Sequence, residues 1–550
     1  MQCVNCMLGM WCLCLAIAGT ACAEDSSIVS WNAYSLQFID PPVFELLELP
    51  AAKSFRAVVE QGGHSWKIES TTPRLDLASI WQELAVKKFN LKLQWLDAKD
   101  QLISEESSWR TKAPDWQGLH EEPADWVTAA DRNISYLIRA GLEGEAPYRE
   151  AGVPVWLWSA ASPTTSPTPE ILGPGYQLSW YREAFQYRAD RWPTGHDESY
   201  PGCIVPAMIY GLTTHAAAGR PEAGKALELA RSAADWLFEH RLPPDCVLPE
   251  FPYSTISRGK FYGGIESKNV NLLRASWIGL SLVHLYEVTQ ETKYLEYARH
   301  IAEVTARFQS GDGSFPYRLN PVTGEVTEAF CTGAIQFTLL IESLAPHGAS
   351  IDLLKASHRA LQWTLAYPAH TNHWQAGYED FGERQPYENL THWETQLLIQ
   401  YLCRHKGSHP DYLALARRLN RFVEDQFVIF GPDNESHPVP IKGPLVFEQY
   451  GCWWPMEGHA GYWIQTLIAL HRETGDQQYL DKAIAAANAI CAQQFEDGSI
   501  SNWGTRWLEN GQPHGENCGH NWYNTNAIAS AALYWLTDYC QEIEHNIEPR

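Results

Sequence analysis

The densest group of side chains that could do chemistry lies between Ala376 and Glu394. Glycine and proline interrupt any regular element there, and a helical pattern begins at Asn389. The stretch is therefore predicted to be a polar loop leading into a helix, although an acidic surface loop with a few salt bridges would look similar. Its candidate catalytic residues are Asp380, Glu383, Arg384, Tyr387, Glu388, His392 and Glu394.

These residue types fit two kinds of reaction. Glycoside hydrolysis needs an acid that protonates the leaving oxygen and a carboxylate that acts as base or nucleophile. Glu388 and Glu394 flank the start of the helix, although Glu388 could simply complement the positive end of the helix dipole. A lyase or a uronyl C5-epimerase instead needs a tyrosine or histidine base and a cation that neutralises the uronate carboxylate. Both reactions stay open at this point, as does a glycan-binding protein without catalysis.

The composition narrows the class of partner. The 550 residues are 45% hydrophobic and 19% charged, as in a folded globular chain long enough for two domains. The formal net charge of −24 argues against nucleic acid or an anionic membrane surface as partner. The 24 tryptophans could simply fill a core, but exposed indole rings also stack on the apolar faces of sugars. This composition is compatible with a carbohydrate substrate, the partner that the resemblance given below implies, and no cofactor is predicted.

Residues 1–23 resemble an export signal. An apolar run from Leu8 to Ala18 is followed by Ala21-Cys22-Ala23, which fits the small-residue cleavage pattern. No Lys or Arg precedes the run, which is unusual for such a signal, and lipid attachment at Cys22 is the less favoured alternative. The run is too short to span a membrane, and no later stretch is apolar enough. The protein is therefore expected to be exported, either secreted or periplasmic.

Cysteine and histidine spacing gives no strong metal or redox signal. Eight cysteines follow Ala23, an even number that permits disulfides, but buried free thiols are equally compatible with their scattered positions. His514, Glu516 and His520 are metal-ligand types, yet their spacing matches no standard site. No metal is therefore predicted.

The hydrophobic pattern changes period along the chain. Segments at 55–60, 65–70 and 90–96 alternate apolar with polar residues, which indicates half-buried strands and predicts a small immunoglobulin- or fibronectin-like β-sandwich over residues 24–112. A proline-rich connector is predicted over 113–175, and helical hairpins over 176–545. The predicted helices are Ile204–Ala218, Pro221–Leu242, Asn269–Thr289, Thr292–Gln309, Ala329–Leu344, Ser350–Leu365, Asn389–His405, His409–Gln426, His459–Thr474, Gln477–Gln494 and Asn521–Cys540.

An internal repeat supports this reading. Tyr294-Leu and Tyr479-Leu each precede a Gly- and Asp-rich turn, and both Leu295 to Leu480 and Asp312 to Asp497 are separated by 185 residues. In each turn, Asp-Gly-Ser at a helix end favours a structural role for the aspartate, because Gly takes positive φ and Asp bonds the backbone.

With these serial hairpins, repeated units and aromatic-rich loops, residues 176–545 resemble the six-hairpin glycosidase superfamily, the (α/α) toroid enzymes. The resemblance implies a toroid that is mainly α and a carbohydrate-active enzyme, most readily a glycoside hydrolase. It identifies no single family and places no catalytic residue. A ring of six hairpins needs a twelfth helix, which either Trp126–Leu142 or Tyr176–Tyr187 could supply.

Long loops come at alternate helix connections, so they could all lie on one face of such a toroid. They are rich in the residue types that bind sugars. The predicted substrate-binding residues are Glu250, Tyr262, Glu266, Trp393, Trp453, Trp454, Glu457, His459, Trp503, Arg506 and Trp522.

Overall fold

The computed structural model describes residues 37–113, 116, 124–143, 198–257, 260–262, 270–375, 390–430, 444–449, 452–500 and 523–547. The chain divides into two compact units between Lys112 and Ala113. The first unit is built from strands and the second from helices.

The described residues of the first unit form seven strands in two sheets. They are β1 (Gln37–Phe38), β2 (Val43–Glu45), β3 (Ser54–Gln61), β4 (His64–Ser70), β5 (Arg74–Asp76), β6 (Lys88–Leu96) and β7 (Leu102–Lys112). One sheet has the order β1-β7-β6-β3-β4, and β2 pairs with β5 in the other. Phe44 and Leu75 from the small sheet share one buried core with Val59, Leu91 and Trp95 from the large sheet. The predicted small β-sandwich is confirmed, including all three predicted strand segments.

The second unit contains twelve long helices among its described residues. They are α1 (Trp126–Glu143), α2 (Pro201–Ala217), α3 (Ala223–Glu239), α4 (Arg274–Thr289), α5 (Thr292–Ala306), α6 (Ala334–Leu344), α7 (Ile351–Ala366), α8 (Trp393–Arg404), α9 (Tyr412–Phe427), α10 (Glu457–Thr474), α11 (Gln477–Ala492) and α12 (Tyr523–Ile547). All eleven predicted helices are present, with ends that differ by a few residues.

These helices form two concentric rings. The even-numbered helices contact one another in the closed order α2, α4, α6, α8, α10, α12 and back to α2, and each packs against one odd-numbered helix outside it. Burial follows from this position: every residue from Ala334 to Ile341 of inner helix α6 is buried, whereas outer helix α9 is exposed over much of its N-terminal half. Six hairpins closed in a ring confirm the predicted (α/α)₆-type toroid.

Helix α1 closes the ring by pairing with α12. The amide of Asn133 donates to Asn526 at 2.6 Å, and the hydroxyl of Tyr534 donates to Asp131 at 2.8 Å. The indole of Trp126 donates to Asn488 of α11 at 2.8 Å. The twelfth helix is therefore Trp126–Glu143, so the toroid starts inside the stretch predicted as a connector. The other candidate, Tyr176–Tyr187, lies outside the described residues.

The repeated Asp-Gly-Ser turns have the same structure in both copies. The carboxylate of Asp312 accepts hydrogen bonds from the backbone and hydroxyl of Ser314 at 2.9 and 2.7 Å, and Asp497 accepts the same pair from Ser499 at 2.9 and 2.6 Å. Each turn docks on the next outer helix through a glutamine, which bonds Ala356 of α7 in one copy and Ala129 of α1 in the other. The two aspartates thus shape turns, and α1 is the outer helix that follows α11 around the ring.

Outer-to-inner connections lead to the N-terminal ends of the inner helices. The connection from α5 to α6 is described throughout. It forms a small antiparallel sheet of Arg318–Leu319 and Val326–Glu328 with Val270–Asn271, the segment that precedes α4. The predicted long loops are all connections of this kind, so the described ends of these loops meet at one end of the ring.

Candidate active site

A pocket lies where the inner helices begin. Its cavity volume is about 40 Å³, and about 380 Å³ when the open space at its mouth is counted. Five inner helices contribute residues close to their first turns. The lining residues are Cys203, Ala207, Arg274, Trp277, Trp393, Gly458, His459, Tyr462, Asn524, Thr525 and Ile528.

Aromatic rings form one wall of this pocket. The ring of Trp393 meets Trp277 edge to face with 5.6 Å between centroids, and it lies 5.8 Å from Tyr462. The guanidinium of Arg274 lies over Trp393 at 4.4 Å from the ring centroid. Trp393 was predicted to bind substrate, and it is the residue around which the other three are packed.

Glu394 is an acid buried immediately behind that wall. It is fully buried in the first turn of α8. Its carboxylate accepts hydrogen bonds from the amide of Gln336 at 3.2 Å and the hydroxyl of Thr391 at 3.1 Å. Burial raises the pKa of Glu394, while the charge of Arg274 and these hydrogen bonds act in the opposite direction. A carboxyl group with a raised pKa is able to hold a proton for transfer, as a general acid must.

Two neutral histidines lie next to each other on the neighbouring helices. The ring of His392 is fully buried and lies 4.9 Å from the ring of His459, which lines the pocket. His392 donates through Nε2 to the carbonyl of Phe447 at 2.7 Å, and its Nδ1 accepts from the amide of Gln396 at 2.5 Å. Both ring nitrogens of His392 are therefore engaged by the protein, and His459 is the histidine that faces the pocket.

Burial lowers the pKa of His392 to about 3, and it lowers the pKa of His459 well below the ordinary value. Between the unfolded pKa of 6.5 and pH 3, an unfolded His392 binds a proton that the folded protein rejects. The contribution of neutral His392 to the stability of the folded protein is therefore fully present above pH 6.5 and is lost as the pH falls below that value. Lowering the pH from 6.5 to about 5 should therefore decrease the free energy of unfolding by about 2 kcal/mol through His392 alone.

This expectation is checked by urea unfolding of the toroid at the two pH values, in the wild type and in His392→Gln. The variant should lose about 2 kcal/mol less than the wild type over that interval, since glutamine does not titrate. An identical pH dependence in both proteins would contradict the buried, neutral state of His392.

Arg274 provides the positive charge of the site. It is the first residue of α4, it is 3% exposed, and its backbone N–H donates to Asn271 at 3.3 Å. Its charge lowers the pKa of Glu394, His459 and Tyr462. For Glu394 and Tyr462 this opposes the effect of burial, and for His459 it adds to the effect of burial. One cation thus connects the buried acid, the pocket histidine and the pocket tyrosine.

Several residues of this site were not predicted from the sequence. They are Cys203, Arg274, Trp277, Gln336, Tyr462 and Asn524. Most of them occur in an ordinary helical pattern, although Asn524 follows a polar stretch of the sequence that ends at His520. The available signal is positional: each lies within the first two turns of a helix that follows a long loop.

The predicted residues fall into four groups. Glu394, His392, Trp393 and His459 come together as described above, and Glu457 is buried as the first residue of α10. Glu250 instead pairs with Arg241 at 3.0 Å, and its carbonyl accepts from Tyr297 of outer helix α5. The backbone, but not the side chain, is described for Tyr262, Trp453 and Trp454. The residues outside the described part of the chain are Asp380, Glu383, Arg384, Tyr387, Glu388, Glu266, Trp503, Arg506 and Trp522.

Within the described ranges, no group of three or more His, Cys, Asp or Glu side chains could hold a metal ion. His514, Glu516 and His520 lie outside those ranges. Six of the cysteines whose side chains are described are free thiols: Cys203, Cys246, Cys331, Cys403, Cys491 and Cys540. Burial raises the pKa of Cys331 and of Cys403 to about 12, so both are poor nucleophiles.

None of the helices in the described part of the chain has both the length and the apolar character needed to cross a membrane.

Neither a family model nor a curated protein matches the sequence. Among solved structures, the chain is similar to a family 76 glycoside hydrolase from a bovine Bacteroides thetaiotaomicron strain, with 10% identity, 91% of this chain and 97% of that chain covered, and a TM-score of 0.44. It is also similar to a family 76 mannosidase from Bacteroides thetaiotaomicron (11% identity, 76% and 100% covered, TM-score 0.46). A third is a cellobiose 2-epimerase from Spirochaeta thermophila (11% identity, 63% and 88% covered, TM-score 0.48).

The closed ring of six hairpins is sufficient to assign the fold. They confirm the predicted resemblance to the six-hairpin glycosidase superfamily at the level of architecture, and no single family within it is identified.

Proposed function

We propose that the protein is a carbohydrate-processing enzyme, exported from the cell, whose leading reaction is glycoside hydrolysis in the pocket of the toroid. The observation that carries this proposal is Glu394: a fully buried acid with a raised pKa, directly after the pocket residue Trp393 and within the field of Arg274.

The pocket suits a sugar ring. Trp277, Trp393 and Tyr462 offer apolar ring surface, and sugars present apolar C–H faces between their hydroxyl groups. The polar groups of Arg274, His459 and Asn524 line the same pocket and are suited to hydrogen bonds with hydroxyls. A few polar groups in an otherwise aromatic pocket fix the orientation of a ligand.

Hydrolysis needs a proton donor and a second carboxylate. In our proposal, Glu394 donates the proton to the leaving glycosidic oxygen, because burial favours its protonated form. Glu457, buried in the first turn of the adjacent inner helix, is the described candidate for the second carboxylate. Glu388, Glu383 and Asp380 are further candidates from the loop that leads to α8.

A second reaction class is favoured by the residues that line the pocket itself. His459 and Tyr462, both residue types that serve as bases in such reactions, line the pocket together with Arg274. A base next to a cation suits abstraction of a proton adjacent to a carbonyl or carboxylate, as in a lyase or an epimerase. No carboxylate lines the pocket among its described residues, which is the specific observation in favour of this alternative.

The two classes are separated by their products. We expect new reducing ends, without ultraviolet absorbance from a new double bond, when the purified protein is incubated with oligosaccharides. Absorbing products would assign the protein as a lyase. Incorporation of solvent deuterium at a sugar carbon without chain cleavage would assign it as an epimerase. Either result would overturn hydrolysis as the reaction.

A further inference from the structure

The outward face of the large sheet in the first unit has an ordered arrangement of side chains. Residues that pair directly across neighbouring strands share a face, so the pairing of β4, β3, β6 and β7 fixes which side chains are neighbours. Three rows cross the sheet: Ser65, Glu60, Asn90 and Trp109; then Lys67, Val58, Lys92 and Ser107; then Glu69, Arg56, Gln94 and Glu105.

Trp109 is the aromatic residue of this face. Its side chain is 66% exposed, more than any other large hydrophobic residue in the described part of the chain. It lies directly opposite Asn90 and near the end of β7, where β1 pairs only with Thr111 and Lys112. A single exposed apolar residue needs no explanation in itself. The role of Trp109 therefore has to be inferred from the groups around its indole ring.

Those groups form an ordered polar network beside the indole. The hydroxyl of Ser107 donates to Asn90 at 3.2 Å, and the amide of Asn90 donates to Glu60 at 3.3 Å. The ammonium of Lys92 donates to the other oxygen of Glu60 at 3.0 Å. Each of these side chains keeps further donor or acceptor capacity, because amides, hydroxyls, ammonium groups and carboxylates make more than one hydrogen bond.

The charges on this face nearly cancel. Four cations (Arg56, Lys67, Lys88, Lys92) stand against three anions (Glu60, Glu69, Glu105). Two ion pairs form within the face, Arg56 with Glu69 at 2.8 Å and Lys92 with Glu60 at 3.0 Å. A face with so small a net charge gives little electrostatic attraction to a polyanion or a polycation. It therefore suits a neutral ligand.

We propose that this face binds a neutral polysaccharide, with a sugar ring stacked on Trp109 and hydroxyl groups bonded to Asn90, Glu60, Lys92 and Ser107. An indole offers the flat apolar surface that a pyranose face requires, and the adjacent network offers the donors and acceptors that its hydroxyls require. This site belongs to the strand unit, goes beyond the function proposed for the toroid, and needs no catalytic step.

Affinity electrophoresis of the full-length protein tests the proposal. Gels would contain mannan, galactomannan, xyloglucan or mixed-linkage β-glucan as neutral polysaccharides, and polygalacturonate as an anionic one. We expect at least one neutral polysaccharide to retard the wild type. Trp109→Ala should weaken that binding about tenfold or more, the effect of truncating a binding hot spot. Trp109→Phe should retain part of it, because a smaller ring still stacks.

Leu102→Ala is the matched control. Leu102 is also on β7 and is 55% exposed, so its truncation removes exposed apolar surface without touching the polar network. It should leave retardation unchanged, and thermal unfolding should show both variants folded.

The proposal is overturned if no neutral polysaccharide retards the wild type, if only polygalacturonate does, or if Trp109→Ala binds as the wild type does. It is also overturned if retardation disappears in a folded Trp277→Ala variant, which removes a ring that lines the toroid pocket, but persists in Trp109→Ala, since the toroid pocket would then be the binding site. Turnover of a short soluble oligosaccharide should be the same in Trp109→Ala and the wild type. Failure of this site thus leaves the proposed function of the toroid to be judged separately.

Discussion

Replacing Glu394 by Gln is expected to lower turnover by about 10²–10⁴-fold, the usual contribution of a general acid. Glutamine has nearly the same shape and still accepts a hydrogen bond from Thr391 or Gln336. It cannot release a proton, so the leaving oxygen would depart without protonation. Binding of the substrate should persist, because the aromatic wall of Trp277, Trp393 and Tyr462 is unchanged.

The pH profile of the wild type gives a second readout. Because burial raises the pKa of Glu394, its protonated form persists to higher pH than that of an ordinary glutamate. Turnover should therefore be lost as the pH rises through that pKa. This alkaline limb should be absent from whatever residual activity Glu394→Gln retains.

Glu342→Gln is the matched control for this experiment. Glu342 lies near the C-terminal end of α6 and pairs with Arg404 at 2.8 Å and His405 at 2.5 Å, at the end of the ring opposite to the pocket. The same chemical change there should leave turnover within about twofold of the wild type. If Glu394→Gln also kept the wild-type rate, Glu394 would be a structural acid at the N-terminus of α8, and another group would have to supply the proton.

Replacing Gly498 by Ala is expected to destabilise the toroid by about 3 kcal/mol or more. Gly498 has a φ of +96°, and an added Cβ would lie 2.3 Å from the carbonyl oxygen of Arg132 in α1. A neighbour that is backbone cannot move aside without shifting the helix. The measurement is the unfolding free energy of the toroid in urea.

Two further glycines separate the causes. Gly219→Ala tests positive φ alone, since φ is +63° there and nothing lies within 4 Å of the added Cβ, so the cost should be about 1 kcal/mol. Gly313→Ala tests the same clash at the repeated turn, where the Cβ would lie 2.3 Å from the carbonyl oxygen of Arg359. A cost for Gly498→Ala no larger than that for Gly219→Ala would show that the turn does not dock tightly on α1.

Much of the fold could be predicted because it is encoded locally. Alternating residues such as those of β3 and stripes such as those of α3 repeat within ten to twenty residues, so periodicity identifies them. The 185-residue repeat depends on turn chemistry that is also local. Helix α1 was harder to assign to the ring, because the contacts that place it come from Asn488, Asn526 and Tyr534, more than 350 residues away.

The site could be predicted only in part, for the same physical reason. Glu394 was found because polar residues crowd the sequence before it. Its hydrogen-bond partner Gln336 and the cation Arg274 were not, because they come from α6 and α4 and meet α8 only when the ring is formed. His392 was predicted as a possible base from its neighbours in the sequence, whereas the structure shows that Phe447 and Gln396 already engage both of its ring nitrogens. That engagement could not be inferred from local sequence.

The pairing of α1 with α12 has a consequence for the synthesis of the chain. Among the described helices of the toroid, α1 leaves the ribosome first and its partner α12 leaves last, so the face of α1 that packs on α12 stays without its native cover until α12 has been made. The ring can therefore close only after translation of α12, and closing so long a segment is entropically costly and slow. Helix α12 is thus the last element that must be made before the nascent toroid can fold as one cooperative unit.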